Sequence, residues 1–469
     1  MKLIYDVEDR MSFGKMAVFA IQQLLAIMAA TLVVPMIIGN GMKSEAALFG
    51  AGVGTLVYVA FTKKKSPVFL GSSFAFLGSM AAAFAGGVSM QLGYLGLILG
   101  AIFAGLVYVA IALVVKVVGV DWVNRLMPAV VIGPTVAIIG LSLAKNAIGD
   151  LKSGEVIVTE VVDGVTVSTQ LASPLATILC GLVTLFITIL CSTFGKKTLR
   201  LIPFIIGILA GYVVALLMTL LGNAAGIDAL KVMNFDSLTG LFQNAEGEFA
   251  ITLGTFVSVP EFTFLTALGG FDEITGSYIG TIAVAYVPVA FVVFAEHIAD
   301  HKNISSIIER DLLKEPGLSR TLLGDGVGSI AGAIFGGCPN TTYGESVGCV
   351  AITRNASIVT IITAACGAIL ISFLSPFVAF VNSIPSCVMG GVCMALYGFI
   401  AVSGLKMLQK VDLGQNKNLF VASTILIAGI GGLSVSFGKV TLTSIACALL
   451  LGIIVNVMLS KAKEEETEE

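Results

Sequence analysis

The chain has 469 residues, of which 57% are hydrophobic and only 12% are charged, whereas about 25% of the residues of an average soluble protein are charged. This composition excludes an ordinary water-soluble globule, because too few polar side chains remain to cover its surface. The formal net charge of −3 and the lack of interleaved basic and aromatic residues argue against nucleic acid as a partner.

Apolar runs of about 20 residues, each long enough to cross a hydrocarbon core of about 30 Å, recur along the whole sequence. We therefore predict an all-α polytopic membrane protein with 14 transmembrane segments. The first seven occupy approximately residues 16–38, 46–62, 67–86, 92–116, 127–147, 173–195 and 201–222. The second seven occupy approximately residues 281–304, 322–337, 338–352, 356–380, 386–404, 419–436 and 440–460.

The basic residues provide a test of the number of segments, because an error of one segment would place every later loop on the wrong side of the membrane. With the N-terminus inside, 21 of the 26 basic residues fall on cytoplasmic stretches and only 5 fall outside. This bias obeys the positive-inside rule and supports an even number of segments. We expect a multi-pass protein of the cytoplasmic (inner) cell membrane, with both termini cytoplasmic, a solvated tail at 461–469 and no removable signal peptide.

Two external stretches are too polar to cross a membrane. Residues 155–170 alternate β-branched and polar side chains around Asp163-Gly164, a pattern that predicts a small β-hairpin. Residues 223–280 are expected to form an external or interfacial connection that mixes loop with short helix. The eight cysteines lie in or beside apolar stretches without a C-x-x-C pair, which indicates small buried side chains and neither disulfides nor metal ligands.

Residues 66–74 and 338–345 lie at membrane depth but contain proline, glycine and hydroxyl side chains, which are weak choices for a helix interior. Irregular backbone is tolerated there only where it is buried in protein or lines a cavity. Pro67 and Pro339 are 272 residues apart, and each starts the third element of its set of seven, from opposite sides of the membrane. This spacing favours inverted repeats whose broken elements meet at the midplane, although ordinary proline kinks remain the alternative.

Charged residues within the segments are few, and each is a candidate site. Glu296 lies well inside the eighth segment, and Glu345 directly follows the second irregular element. A charge at the bilayer centre costs about 2.5–3.5 kcal/mol on insertion scales, so these carboxyl groups should be protonated, paired or bound to a ligand. A purely structural salt bridge or helix cap is the less favoured alternative for both.

On a helix, Glu296 and Asp300 share one face, while His297 and His301, the only two histidines of the chain, share the neighbouring face. Burial favours the neutral form of carboxyl and imidazole groups alike, so both can exchange protons near neutral pH. For the two histidines, a structural role as hydrogen-bonded residues is as well supported as a role in proton exchange. Phe74, in the first irregular element, is a suitable platform for stacking on a flat ring.

Nucleotide binding, catalysis and metal binding have little support in the sequence. The Gly50-x-Gly52-x-Gly54 and Gly324-x-Gly326-x-Gly328 patterns lie in or beside apolar segments without a soluble strand before them, so a nucleotide-phosphate site is weakly indicated. No set of nucleophile and base is visible, and no metal-binding pattern is visible either. We expect neither an enzyme nor a cofactor, and only protons as a coupling ion.

Residues 71–76, 295–298, 339–345 and 351–354, including the stretch Asn-Thr-Thr-Tyr-Gly-Glu, resemble the nucleobase/ascorbate transporter family, and its uracil permeases in particular. The resemblance implies two inverted sets of seven segments, short antiparallel strands in segments 3 and 10, and a core domain that moves against a gate domain. The implied parts are core 1–120 and 281–382, gate 121–222 and 383–460, and the connection 223–280.

The resemblance also implies the site. Glu296 and Glu345 would bind the edge of a pyrimidine, and Phe74 would stack on its ring. The pocket would be completed by Tyr343, Gly344, Ala30 and Ser73. Proton coupling would involve Glu296, Glu345, His297, Asp300 and His301.

The implied function is uracil:proton symport by alternating access, with uracil and the lipid bilayer as partners and a homodimer left open. An acidic residue at 345, where purine-selecting relatives have glutamine, favours uracil. The alternatives are a purine (xanthine or guanine) permease, an anion carrier of the same fold, a channel and a membrane-embedded enzyme. Three residues depart from the family pattern: Ser346 replaces an asparagine, and Asp300 and Gln23 stand where histidines are usual.

Overall fold

A computed structural model describes residues 3–119, 122, 125, 127–162, 165–196, 198–243, 247–437 and 440–461. The helices of the first half are α1 (Phe13–Ile38), α2 (Ser44–Phe61), α3 (Leu77–Ala83), α4 (Met90–Val118), α5 (Ala129–Ser142), α6 (Ala144–Leu151), α7 (Pro174–Phe194), α8 (Thr198–Leu201) and α9 (Pro203–Ala225). Those that follow are α10 (Asp236–Thr239), α11 (Thr263–Ala267), α12 (Gly276–Ile308), α13 (Leu318–Gly336), α14 (Gly344–Thr353), α15 (Ile358–Ile371), α16 (Ser375–Asn382), α17 (Ser386–Leu408), α18 (Asn416–Ile430) and α19 (Ser444–Met458).

Eight helical stretches within the described residues are long and apolar enough to cross a membrane. They are α1, α2, α4, α5 together with α6, α7, α9, α12 and α17. Shorter apolar helices lie at Phe74–Ala83, Ile358–Ile371, Asn416–Ile430 and Ser444–Met458. The chain is therefore a multi-pass membrane protein of mainly helical fold, as predicted.

Six short strands accompany the helices: β1 (Leu70–Ser72), β2 (Ile157–Val162), β3 (Val165–Gln170), β4 (Asn340–Thr342), β5 (Val435–Phe437) and β6 (Val440–Leu442). Strands β2 and β3 pair antiparallel, which confirms the predicted hairpin, although its turn at Asp163-Gly164 lies outside the described residues. Strands β5 and β6 form a second hairpin where the sequence predicted the end of one segment and the start of the next.

Strands β1 and β4 belong to the two irregular elements, and they pair antiparallel with Gly71 opposite Thr341. The predicted strands are thus confirmed. The Ser73 amide donates to the Pro339 carbonyl at 2.9 Å, and the Leu70 amide donates to Thr55 Oγ1 at 2.9 Å. These bonds satisfy backbone groups that no helix satisfies, as a segment buried at membrane depth requires.

The helices pack in two groups, and each group combines both halves of the sequence. In the first group α13 packs on α2 and α4, α12 packs on α4, and α15 packs on α1 and α2. In the second group α17 packs on α5 and α7, α9 packs on α7, and α18 packs on α5 and α19. The paired strands β1 and β4 belong to the first group and face the second.

Two predicted segments differ from the structure. The segment predicted at 127–147 is split into α5 and α6, and the one predicted at 356–380 is split into α15 and α16. The predicted connection 223–280 overlaps the end of α9 and the start of α12, and the described residues between these two helices contain, besides irregular chain, α10, α11 and four 3₁₀ turns.

Glycines bring α2 and α13 into close contact. A Cβ atom on Gly50 would overlap the Gly332 carbonyl, and one on Gly54 would lie 2.7 Å from the Gly328 carbonyl oxygen. Such small residues let helices approach closely in lipid. Asn340 of β4 lies at the same contact and donates to the Gly50 carbonyl at 3.1 Å, so this contact also positions the strand.

We predict that Gly50→Val destabilises the protein by about 1–3 kcal/mol, the usual cost of overpacking. The measurement is the thermal unfolding midpoint of the protein purified in detergent. Gly348→Val is the matched control, because nothing lies within 4 Å of a Cβ built on Gly348. Equal midpoints for the two variants would contradict the close contact between α2 and α13.

Candidate functional site

A cavity of about 360 Å³ lies between the two helix groups, beside the ends of strands β1 and β4. This volume is within the range of about 300–1,000 Å³ that is typical of small-molecule sites. The first group contributes Phe74, Ala75, Glu296, Ala299, Asp300, Thr341, Thr342, Tyr343, Gly344 and Glu345 to its lining. The second group contributes Val136, Ile139, Phe204, Leu396, Phe399, Ile400, Ser403 and Met407.

The two carboxyl groups that the sequence singled out line this one cavity. Glu345 is the second residue of α14, which starts directly after β4, and Glu296 lies in α12. The position of Glu345 in the first turn of a helix favours a negative charge there. Two residues that are 49 positions apart in sequence are thereby brought to one site by the fold.

Three other carboxyl groups act electrostatically on Glu296, namely those of Asp300, Glu345 and Asp325. Asp300 lies one turn further along α12, and its Oδ2 accepts a hydrogen bond from Thr342 Oγ1 at 2.8 Å. Carboxyl groups this close repel one another when all are ionised, so such a cluster is suited to hold and release protons. The arrangement provides acid groups that can both bind a polar ligand and carry a proton.

Aromatic rings shape the rest of the site. Phe74 lines the cavity, and its ring lies edge-on to Tyr397 with centroids 6.1 Å apart. The Tyr343 hydroxyl donates to the Ser72 carbonyl at 2.7 Å, and its ring lies so close to Gly71 that a Cβ there would overlap it. Gly71 is therefore required for the tyrosine to reach across the paired strands.

The remaining predicted site residues lie outside the cavity lining. Ala30 and Ser73 are both buried, with 1% of their surface exposed. His297 and His301 are fully buried on the neighbouring face of α12, as the sequence predicted, and their rings stack with centroids 3.9 Å apart. Of the predicted residues, the structure brings Phe74, Glu296, Asp300, Tyr343, Gly344 and Glu345 together at the cavity.

Each histidine has specific partners. His297 Nδ1 lies 2.6 Å from Asp325 Oδ2, and its Nε2 lies 3.0 Å from Thr321 Oγ1. His301 Nδ1 donates to the His297 carbonyl at 2.7 Å, so its Nε2 accepts from the Tyr58 hydroxyl at 2.6 Å. The histidines thus join α12 to α2 and α13.

Asp325 is a buried polar residue that was not among the predicted site residues, although its position in the sequence carries a signal. It lies in α13 between Gly324 and Gly326, and a charged residue within an apolar segment is by itself a candidate for a role. Only the structure shows its partner, because His297 is 28 positions away and on another helix. Its Oδ1 atom has no hydrogen-bond partner within the described part of the chain.

Two residues that depart from the family pattern contact each other. The Gln23 side-chain amide of α1 donates to Ser346 Oγ, which also accepts from the Phe69 amide at 2.9 Å. The Ser346 hydroxyl therefore joins α1, the residue before β1 and the first turn of α14. These two hydrogen bonds fix the residue next to Glu345.

Comparison with known proteins places these features in context. The model of the Permease family matches residues 14–437. The chain is 37% identical over 454 residues to the uracil permease of Bacillus subtilis (strain 168), covering 96% of this chain and 94% of that one. It is 32% identical over 436 residues to the uracil permease of Escherichia coli (strain K12), covering 92% and 89%.

Two solved structures have a similar fold. The transmembrane domain of the cyanobacterium bicarbonate transporter BicA matches with a TM-score of 0.59 at 14% identity, over 96% of this chain and 100% of that one. The murine anion transporter Slc26a9 in its inward-facing state matches with a TM-score of 0.62 at 9% identity, over 97% and 69%. At such low identity the likeness concerns the fold alone.

Proposed function

Because the chain belongs to the Permease family, whose members are transport proteins and not enzymes, we propose that it carries uracil into the cell together with a proton. The resemblance of residues 339–345 to uracil permeases is confirmed by the family match and by relatives that are uracil permeases. The cytoplasmic membrane is the proposed location, with both termini inside, in agreement with the distribution of basic residues.

The observation that carries the choice of uracil is the meeting of Glu296, Glu345 and Phe74 in one cavity. Uracil presents N–H donors flanked by carbonyl acceptors on the edge of a flat ring. An ionised carboxylate only accepts hydrogen bonds, whereas a protonated carboxyl also donates. A pair of carboxyl groups that shares protons can therefore match both kinds of group, while Phe74 offers a face for stacking.

Proton coupling follows from the same cluster. Glu296, Glu345 and Asp300 line the cavity, and no Lys, Arg or His is among the described residues of its lining. A proton that neutralises the cluster reduces its repulsion, so substrate and proton favour the same state of the site. We assign the coupled proton to this cluster, and we assign His297 and His301 to the network behind it.

The architecture that we propose has 14 membrane segments in two inverted repeats of seven. The antiparallel pairing of β1 with β4 supports it, because inverted repeats bring corresponding elements together from opposite sides. The two helix groups correspond to a core (1–120 and 281–382) and a gate (121–222 and 383–460). Alternating access would be a movement of the gate side of the cavity, at Phe204 and Leu396, away from Glu296.

Uptake into proteoliposomes tests the function. We expect radiolabelled uracil to accumulate when the interior is alkaline, and accumulation to collapse when a protonophore dissipates the gradient. Unlabelled uracil should compete, and xanthine should not. Competition by xanthine alone would favour the purine permease, and uptake that ignores the gradient would contradict proton coupling.

The Ser346 hydroxyl provides a separate prediction. Ser346→Ala removes the acceptor of the buried Phe69 amide, and an unsatisfied buried donor costs about 1–3 kcal/mol. We expect a higher KM for uracil and a lower unfolding midpoint. Ser346→Thr keeps the hydroxyl and should preserve both values, so equal defects in the two variants would show that the hydroxyl is not what matters.

A further inference from the structure

The external connection contains an uncharged run with exposed apolar side chains. Between Glu248 and Glu261 the sequence has no charged residue. Leu253 is 80% exposed, Phe249 77% and Val259 70%. Ile251, Phe256 and Val257 are exposed as well, so the run of residues 249–259 presents an apolar surface with six exposed side chains. Such a surface is uncommon on a protein face that contacts water.

Part of the backbone of this run is hydrogen-bonded within the protein, although the chain is irregular. The Ala250 amide donates to the Phe242 carbonyl at 2.8 Å, and the Phe256 and Val257 amides both donate to the Leu253 carbonyl, at 3.0 Å and 2.9 Å. A loop in water has no need of such bonds. A loop among lipid chains does, because no water is present to satisfy its amides.

Neighbouring contacts place the run at the level of the outer helix ends. Glu261 forms an ion pair with Lys43, at 3.4 Å, just before α2 begins. The ring of the next residue, Phe262, lies 4.8 Å from the ring of Phe49, which is five residues inside α2 and hence about 7 Å below its start. Charged groups at the helix end with aromatic rings one turn deeper are typical of a membrane interface.

The run also continues the lipid-facing surface of α15. The Ser258 amide donates to the Phe373 carbonyl at 3.0 Å, the Ser375 amide donates to the Phe256 carbonyl at 3.1 Å, and Val257 forms a β-bridge with Leu374. Leu370, near the end of α15, and Leu374, directly before α16, are themselves exposed apolar residues of a membrane protein. The apolar surface of residues 249–259 is therefore joined to one that lipid covers.

We propose that residues 249–259 insert into the outer leaflet of the bilayer, with Phe249, Leu253 and Val259 in contact with lipid acyl chains. The burial of apolar side chains in the leaflet stabilises this position, and the internal hydrogen bonds lower the cost of placing its backbone there. The connection is thus a membrane-anchored part of the fold. This proposal is independent of the substrate that the protein carries.

Tryptophan fluorescence tests the proposal, because Trp122 is the only tryptophan of the chain. In a Trp122→Phe background, Leu253→Trp and Phe249→Trp each place one indole in the run. In proteoliposomes we expect a blue-shifted emission that is quenched by phospholipids brominated on their acyl chains. Asp272→Trp, at an exposed position of the same connection, should emit at longer wavelength and resist quenching.

Two outcomes would overturn the proposal. Emission from both run variants like that of Asp272→Trp, without quenching, would show that the run lies in water. A blue-shifted emission that brominated lipid does not quench, with cross-linking between copies of a Leu253→Cys variant, would show that a second copy covers it. Two independent positions are used so that one poorly folded variant does not decide the result, and gel filtration establishes that each variant is intact.

Discussion

Replacing Glu345 with alanine is expected to abolish uracil uptake while leaving the protein folded. The carboxyl group lines the cavity, and loss of a hydrogen bond to a charged group costs about 1.5–3 kcal/mol, which corresponds to about a 10- to 150-fold weaker affinity. Two such bonds to one base would make binding undetectable at ordinary substrate concentrations. Uptake of radiolabelled uracil into proteoliposomes, together with direct binding to the purified protein, measures both effects.

Glu345→Gln separates binding from coupling. An amide keeps an acceptor and nearly the same shape, but it cannot hold the proton. We expect exchange of uracil across the membrane to persist at a reduced rate and accumulation against a gradient to be lost. Glu273→Ala, an exposed carboxyl of the external connection, is the control. Uptake by Glu345→Ala at the rate of this control would refute the assignment of Glu345.

The second large effect concerns the buried pair of His297 and Asp325. Both side chains are fully buried, and removing one member of such a pair leaves the other without compensation, at a cost of about 3–5 kcal/mol. We expect His297→Ala to lower the thermal unfolding midpoint strongly in detergent. Replacing both residues with leucine should recover much of the stability, because apolar side chains need no partner.

This double replacement distinguishes two explanations. If the loss in His297→Ala reflected only an empty space, the leucine pair would fill it and the single variant His297→Leu would be as stable as the pair. If it reflects the uncompensated Asp325, His297→Leu should remain unstable and only the double variant should recover. A His297→Ala protein that unfolds at the wild-type temperature would show that the pair does not hold α12 to α13.

The meeting of the two irregular elements could be predicted from the sequence because its signals are local. Pro67 and Pro339 interrupt apolar segments, and irregular backbone at membrane depth is tolerated only where it is buried in protein or lines a cavity. The residues that follow them were therefore expected to meet inside the protein, as the pairing of β1 with β4 confirms. A carboxyl group inside an apolar segment is likewise visible without a structure, as Glu296 shows.

Other features depend on contacts between distant residues, which a pattern along the chain does not contain. The gate side of the cavity, at Phe204, Leu396 and Phe399, consists of apolar side chains like many others in the sequence. The partners of Ser346 and of His297 lie on other helices. The sequence of the connection 223–280 shows no helical or strand periodicity. Its form depends on packing against residues such as Phe49.

Segment boundaries likewise depend partly on local hydropathy and partly on contacts between distant residues. The hydropathy of residues 356–380 predicts one crossing, yet the chain bends between α15 and α16, where residues 256–258 pair with residues 373–375. Strands β5 and β6 occupy a stretch that hydropathy assigns to two segment ends. Hydropathy reports where the chain is apolar, and long-range hydrogen bonds decide where it bends.

A structure determined with uracil bound tests the central claim most directly. We predict that the base lies in the cavity beside the ends of β1 and β4, that both Glu296 and Glu345 are within hydrogen-bond distance of its edge, and that the Phe74 ring lies against its face. Uracil bound elsewhere, or held with the two carboxyl groups separated from each other, would contradict the account.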